Sequence, residues 1–304
     1  MTKIMIRPPY LQKGDKIIIV APAGCVNKES VESAIERFTN WGYEVVLGEN
    51  IYRDYNIFSG TDGERADDLQ KALDSEDIRA IICARGGYGS IRILDRLDYS
   101  IFQGNPKWIV GFSDISVIHA KLNVLGIETL HADMPKTMID KSDDASDIKT
   151  FRSLLEGDVP AYKFPSDKMN RQGSVEGELV GGNLSVLYSL RGVDLEWSKM
   201  NKILFIEDLN ENLYHLDRMM QNLKLDGKLE HLKGLIVGDM LNMRDSEPSF
   251  GKTAYEIIQD AVKDYDFPVV YNFPAGHSNM NMPIILGAYV KLEVNSNEYS
   301  LDFL

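Results

Sequence analysis

The first 110 residues alternate short β-branched runs with amphipathic stretches, and that alternation limits the chain to an α/β layer built on a mostly parallel sheet. Residues 16–21 read as a buried strand. After them Val31, Ala34, Ile35, Phe38 and Trp41 recur at helical spacing, and Gly42 stands where a C-terminal cap belongs. Strand 43–47, helix 62–73, strand 78–84, helix 90–97 and strand 108–110 follow, in the order βαβαβαβ.

The pattern then weakens. Residues 136–172 are polar and charged, with one modest helix at 148–155, and are expected to connect an N-terminal α/β domain (1–135) to a C-terminal one (173–304). The second half resumes with a strand at 176–180, a helix after Asn183, a strand at 202–206 and a helix at 211–223. Strands at 235–237, 268–272, 284–294 and 299–303 make the second domain the smaller and more strand-rich of the two.

Composition narrows the function classes. The net charge of −13 repels phosphate backbones and anionic membrane surfaces, so no nucleic acid and no membrane partner is expected. The longest apolar runs, 16–23 and 202–206, fall far short of the roughly 20 residues that cross a bilayer. The first dozen residues build no secretory signal, so the cytoplasm is the expected compartment. Cys25 and Cys83 sit at strand ends without a CxxC pair, which suggests neither a disulfide framework nor zinc. No His/Asp clustering or HExxH motif calls for a metal, and no cofactor is expected.

Gly111-Phe112-Ser113-Asp114-Ile115 follows strand 108–110 and opens a helix with apolar positions Ile115, Ile118, Leu122 and Leu125. A serine at such a strand-turn-helix is lifted from the sheet beside unpaired N–H groups, where a nucleophile and an oxyanion are both favoured. Ile115 replaces the last glycine of a G-x-S-x-G elbow, and on this segment alone Ser113 or Asp114 serves equally well as a helix cap. Arg85-Gly86-Gly87-Tyr88-Gly89 follows strand 78–84 and can expose N–H groups to an anion, although it also fits a plain tight turn. Its spacing matches neither a dinucleotide fingerprint nor a P-loop, which leaves a Rossmann-type dehydrogenase supported only by the βαβ order.

Among the histidines, His119, His215 and His231 fall in or beside helices, whereas His277 lies in the turn Phe273-Pro274-Ala275-Gly276-His277-Ser278 after a strand, where catalytic groups concentrate. His131 is its rival at another strand end. Glu207 and Asp208 close strand 202–206; either can hold an imidazole, and either can cap the next helix.

Taken in order, Leu11-Gln12-Lys13-Gly14-Asp15, the Arg85–Gly89 turn, the Gly111–Ile115 turn, Gly181-Gly182-Asn183-Leu184, Ile206-Glu207-Asp208 and Ala275-Gly276-His277 resemble the LD-carboxypeptidase family of serine peptidases. That family also includes the microcin C resistance peptidases. The resemblance spans nearly the whole chain. It implies a catalytic triad of Ser113, Glu207 and His277, with oxyanion donors from the backbone of Asp114 and of the Gly86-Gly87 pair. It further implies an N-terminal Rossmann-like α/β sandwich domain, a second, smaller β-rich α/β domain, a site between them, and a homodimer. The implied reaction is hydrolysis of the bond joining an L-diamino acid to terminal D-alanine in a peptidoglycan-derived tetrapeptide, through an acyl-enzyme. Arg85 is the nearest cation for the substrate carboxylate. Where relatives often carry a His-Gly-Pro turn, this chain has His131-Ala132-Asp133-Met134-Pro135, which puts the pocket wall in question. The alternatives are hydrolysis of a peptidyl or acyl nucleotide toxin, for which Trp197 is a conceivable base platform, and a non-catalytic small-peptide-binding protein.

Overall fold

The computed structural model of the protein describes residues 5–195 and 200–304. Trp197 lies outside the described residues. The strands are β1 (Lys16–Val20), β2 (Glu44–Leu47), β3 (Ile78–Cys83), β4 (Trp108–Gly111), β5 (Thr129–His131), β6 (Ala161–Pro165), β7 (Gly173–Asn183), β8 (Lys202–Leu209), β9 (Gly234–Leu241), β10 (Val269–Val270), β11 (Ile284–Leu286), β12 (Tyr289–Val294) and β13 (Glu298–Phe303). The helices are α1 (Lys28–Asn40), α2 (Asp62–Asp74), α3 (Ser100–Gly104), α4 (Ser116–Leu125), α5 (Pro135–Met138), α6 (Ser146–Leu155), α7 (Leu184–Ser189), α8 (Leu213–Leu225) and α9 (Ala254–Val262). None is long and apolar enough to cross a membrane.

The chain divides into two compact units, 1–159 with 282–287, and 160–281 with 288–304. The division falls inside the segment expected to be a plain connection. Residues 136–172 contain α6, whose apolar face buries Ile148, Phe151, Leu154 and Leu155 in the first unit, and β6, which pairs with β13 in the second.

The first unit is a six-stranded sheet in the order β11-β5-β4-β3-β1-β2, parallel except for β11, which runs antiparallel to β5. Strands β1, β3 and β4 are almost wholly buried, as a parallel sheet covered on both faces requires. Caps written in the sequence set the helix starts: Asn27 accepts from the Ser30 N–H, and Thr61 and Glu64 form a capping box on α2. Because β1 connects to β2 on one side and pairs with β3 on the other, the loops after β1 and β3 diverge at a topological switch point. Such crevices are where α/β sheets bind ligands.

The second unit is a seven-stranded mixed sheet, β10-β9-β8-β7-β12-β13-β6. Its first four strands run parallel, and β12, β13 and β6 are added antiparallel. Leu216, Met219 and Met220 of α8 and Ile257, Ile258 and Ala261 of α9 bury against Leu204, Ile206, Leu235 and Val237 of the sheet. The parallel order β7, β8, β9, β10 brings Asn183, Glu207, Asp239 and the loop leading to His277 to the same, C-terminal edge of this sheet.

Three sequence expectations differ from these elements. Residues 90–97 form a 3-10 helix over Ser90–Arg96, entered through Gly89 with no side-chain cap. Residues 284–294 are two strands broken at Gly287 (φ +92°), one in each unit. The strand-rich reading passed over α9, whose Thr253 and Glu256 make a capping box.

Candidate active site

In the first unit β4 delivers Phe112 in extended geometry, and the chain then turns through Ser113 at φ +63° into a 3-10 turn, Ser113–Ile115, and on into α4. A serine in left-handed backbone costs about 1–3 kcal/mol, a strain that persists only where the surroundings hold it. Here they do. Ile115, fully buried, fills the space over Gly111, where a Cβ would lie 2.9 Å from the Ile115 side chain. This contact is why position 111 needs glycine while position 115 carries a bulky side chain. Behind the turn, His119 Nε2 meets the Gly111 carbonyl at 2.8 Å, so Nε2 carries the proton. Burial pushes the His119 imidazole down to about 4, only partly offset by that bond.

The glycine turn after β3 closes on Ser113. A Cβ on Gly86 would stand 2.9 Å from Ser113 Cβ, 3.1 Å from its Oγ and 3.3 Å from the Asp114 backbone nitrogen, so only glycine fits. The Gly24 N–H donates to the Gly86 carbonyl at 3.1 Å, which ties the loop after β1 to the same turn. Asp114, 5% exposed, points back into the unit and its Oδ2 accepts the Ser90 N–H at 2.8 Å. Burial raises the Asp114 carboxyl, against the pull of Ser90, Arg65 and the Gly89 backbone. Ser113, Gly86 and Asp114 are therefore together. Arg85 turns its Nη1 to the Cys25 carbonyl at 2.7 Å and so braces the loop after β1.

His131 is wholly buried in β5, paired with Ile284 and Gly111. The segment 131–135 is held by a buried cluster of one lysine and two aspartates. Asp133, 2% exposed, accepts Thr137 Oγ1 at 2.7 Å and Lys141 Nζ at 2.6 Å, and the same ammonium meets Asp147 at 2.6 Å.

In the second unit β8 carries Glu207 and Asp208 just before its last residue, Leu209, and both are buried. Glu207 Oε2 lies 2.6 Å from His277 Nδ1, and Glu207 Oε1 has no hydrogen-bond partner among the described residues. A carboxylate at Nδ1 fixes the tautomer and leaves Nε2 for proton transfer. Burial lowers the basicity of His277, but the charge and hydrogen bond of Glu207, with the charges of Asp208 and Asp239, outweigh it and leave the imidazole above its ordinary value. Between the two lies Gly276 (φ +137°), where a Cβ would press on Asp239 at 2.9 Å and Glu207 at 3.2 Å.

Asp208 faces away from this pair. It accepts Asn183 Nδ2 at 3.0 Å and the Ser185 N–H at 2.8 Å, tying β8 to the start of α7, and it does not cap the following helix, whose N-cap is Asn212. Burial, then the neighbouring Glu207, pushes its carboxyl up to about 7. His215 also meets a carboxylate, Glu211 at 2.5 Å, on a half-exposed helix, while His231 is exposed. Among the described residues no cluster of three His, Cys, Asp or Glu side chains could hold a metal ion.

A strained serine beside a glycine turn, and a buried glutamate on a histidine, are the parts of acyl-transfer chemistry. Comparison with known proteins places the chain in a family. Residues 17–132 match the LD-carboxypeptidase N-terminal domain and residues 176–292 the LD-carboxypeptidase C-terminal domain. The chain belongs to the LD-carboxypeptidase family. It is a serine-type carboxypeptidase. Relatives within the family include a probable murein peptide carboxypeptidase of Bacillus subtilis, 31% identical over 96% of this chain and 92% of the relative. A murein tetrapeptide carboxypeptidase of Pseudomonas aeruginosa is 25% identical over 92% and 94%. The crystal structure of muramoyltetrapeptide carboxypeptidase from Oxalobacter formigenes superposes with a TM-score of 0.86 at 27% identity, covering 95% of this chain and 98% of that one. The microcin C7 self immunity protein MccF in its wild-type apo state shares the fold, with a TM-score of 0.87 at 21% identity over 98% and 99%.

Asp239 and the Asn183–Ser185–Asp208 network escaped the sequence reading. Asp239 carries one weak signal, a Gly238-Asp239 pair that interrupts an otherwise apolar strand.

Proposed function

We propose that this carboxypeptidase hydrolyses the bond between the L-diamino acid and the terminal D-alanine of peptidoglycan-derived tetrapeptides, with Ser113 as nucleophile, His277 as general base and Glu207 as the acid that orients it. The observation that carries the proposal is the buried Glu207 carboxylate 2.6 Å from His277 Nδ1, a pair with no evident purpose in a protein that only binds. The murein peptide names of the relatives support the substrate class.

In the proposed reaction His277 Nε2 takes the Ser113 proton as Oγ bonds to the substrate carbonyl carbon. The carbonyl π pair moves onto oxygen, and the resulting oxyanion takes hydrogen bonds from backbone N–H groups. When the C–N bond breaks, the imidazolium returns its proton to the leaving amine and D-alanine departs. Water, deprotonated by the same imidazole, then opens the acyl-enzyme. The donors are the N–H of Asp114 and one from the Gly86-Gly87 pair. Because the Gly86 carbonyl accepts from Gly24, the N–H of Gly87 in the same trans peptide faces the opposite way, which favours Gly87. Each donor is worth about 3 kcal/mol of transition-state stabilisation. Arg85 is the proposed partner of the substrate carboxylate, and Arg85→Ala is expected to raise KM.

The test is mass spectrometry of L-Ala-D-Glu-L-Lys-D-Ala and its diaminopimelate analogue after incubation with wild type and Ser113→Ala. Wild type is expected to release a single alanine and the variant none. If the peptides survive and a peptidyl-adenylate is cut instead, the substrate assignment is overturned while the chemistry stands.

A further inference from the structure

Resting on the reading of His277 as the base, one acidic residue acquires a role. Asp239 lies in β9, where the ladder to β8 shifts register: Ile206 pairs with Val237 but Asp208 pairs with Met240, so Gly238 and Asp239 together oppose Glu207. An extra residue of this kind re-aims side chains beside a strand end. Three contacts tie Asp239 to the segment that carries the imidazole. Its backbone N–H donates to the Ala275 carbonyl at 3.0 Å, its Oδ2 accepts the Ser278 N–H at 2.8 Å, and its Cβ fills the space that a side chain on Gly276 would need. Residues 275, 276 and 278 are thus all held by one aspartate, and only His277 projects from between them. From the other end of the turn, Asn281 Oδ1 accepts the Gly276 N–H at 3.0 Å.

We infer that Asp239 is a positioning residue for His277, clamping the backbone on both sides of the imidazole and adding a further carboxylate charge to those of Glu207 and Asp208. The carboxylates acting on the ring come from β8 (Glu207 and Asp208) and β9 (Asp239), and all three favour its charged form. The clamp and the charge are separable. Asparagine at 239 keeps an oxygen for the Ser278 N–H but loses the charge; alanine loses both.

Steady-state kinetics against pH on L-Ala-D-Glu-L-Lys-D-Ala, for wild type, Asp239→Asn and Asp239→Ala, read the two apart. Asp239→Asn is expected to keep kcat within about fivefold and to move the acid limb of kcat/KM to lower pH, since a base that has lost a neighbouring negative charge deprotonates sooner. Asp239→Ala is expected to lower kcat about 10- to 100-fold with KM within about threefold, the mark of a misplaced base rather than lost binding. The same prediction is read without turnover by titrating the His277 imidazole by NMR in Ser113→Ala protein, with the signal assigned by His277→Gln. There Asp239→Asn must lower the midpoint. If wild type does not cut the peptide but the midpoint falls, the assigned activity fails and the positioning role stands. An unchanged midpoint in Asp239→Asn, or a KM that rises as far as kcat falls in Asp239→Ala, overturns the role.

Discussion

His119 Nε2 donates to the Gly111 carbonyl at 2.8 Å, two residues before Ser113, from a helix that the serine turn itself begins. The bond locks strand, turn and helix into one piece, and full burial, rather than the bond, keeps the imidazole neutral. With the folded value near 4 and the ordinary value at 6.5, the unfolded chain binds the proton more readily. The contribution to stability is complete above pH 6.5 and is lost as pH falls toward 4, amounting to about 2 kcal/mol at pH 5. Urea denaturation of wild type and His119→Gln at pH 7 and pH 5 should show the variant losing less stability over that interval.

Glu207→Gln keeps the shape of the acid and removes its charge. His277 is held above its ordinary value chiefly by that charge, so wild-type kcat/KM is expected to rise with a midpoint above 6.5, and in the variant the limb should move to lower pH. The level reached on the plateau should fall on the order of 10³-fold, because the amide also stops selecting the tautomer. A kcat/KM profile from acid to mildly alkaline pH checks both.

Gly86→Ala is a test of space beside the nucleophile. The new methyl would sit 2.9 Å from Ser113 Cβ and 3.1 Å from Oγ, displacing the serine or the donors around it. A fall in kcat of about 10²-fold or more is expected, with a melting temperature within a few degrees of wild type. Calorimetry beside kinetics separates the two effects.

Gly181→Ala should do the reverse. Gly181 has φ +142°, and a Cβ there would stand 1.8 Å from the Phe205 carbonyl oxygen, a backbone atom of the neighbouring strand that cannot move aside. The substitution breaks the β7–β8 ladder ahead of Asn183 and Glu207, and a loss exceeding about 4 kcal/mol, seen as insoluble protein or a collapsed transition in urea, is expected.

Much of this was legible in the sequence because the signals were local. Runs such as Ile17–Val20 and Ile203–Ile206 are buried on both faces and read as strands without alternation, and Gly42 falls in left-handed backbone after α1 as a cap should. The turn carrying Ser113 was placed correctly for the same reason, since strand, turn and helix adjoin in the chain. What stayed hidden depends on residues far apart. Glu207 and His277 are 70 positions from each other, and nothing in either segment by itself joins them; only the resemblance to a family did. The sequence offered Asp208 as a helix cap; its true partners, Asn183 and Ser185, reach it only across a parallel strand pair. The break at Gly287 was invisible because Ile284–Val294 is apolar enough to pass for one strand, although its halves join different sheets.

That break bears on how the molecule is made. Strand β11 is the outer neighbour of β5, yet it is translated after nearly all of the second unit. Until residue 286 leaves the ribosome, β5 presents a bare edge of unpaired N–H and C=O groups, the kind that recruits other chains. The first unit is therefore not a module that residues 1–159 make by themselves: such a fragment lacks its sixth strand, and only supplying 282–287 again, by fusion or as a peptide, would cover β5.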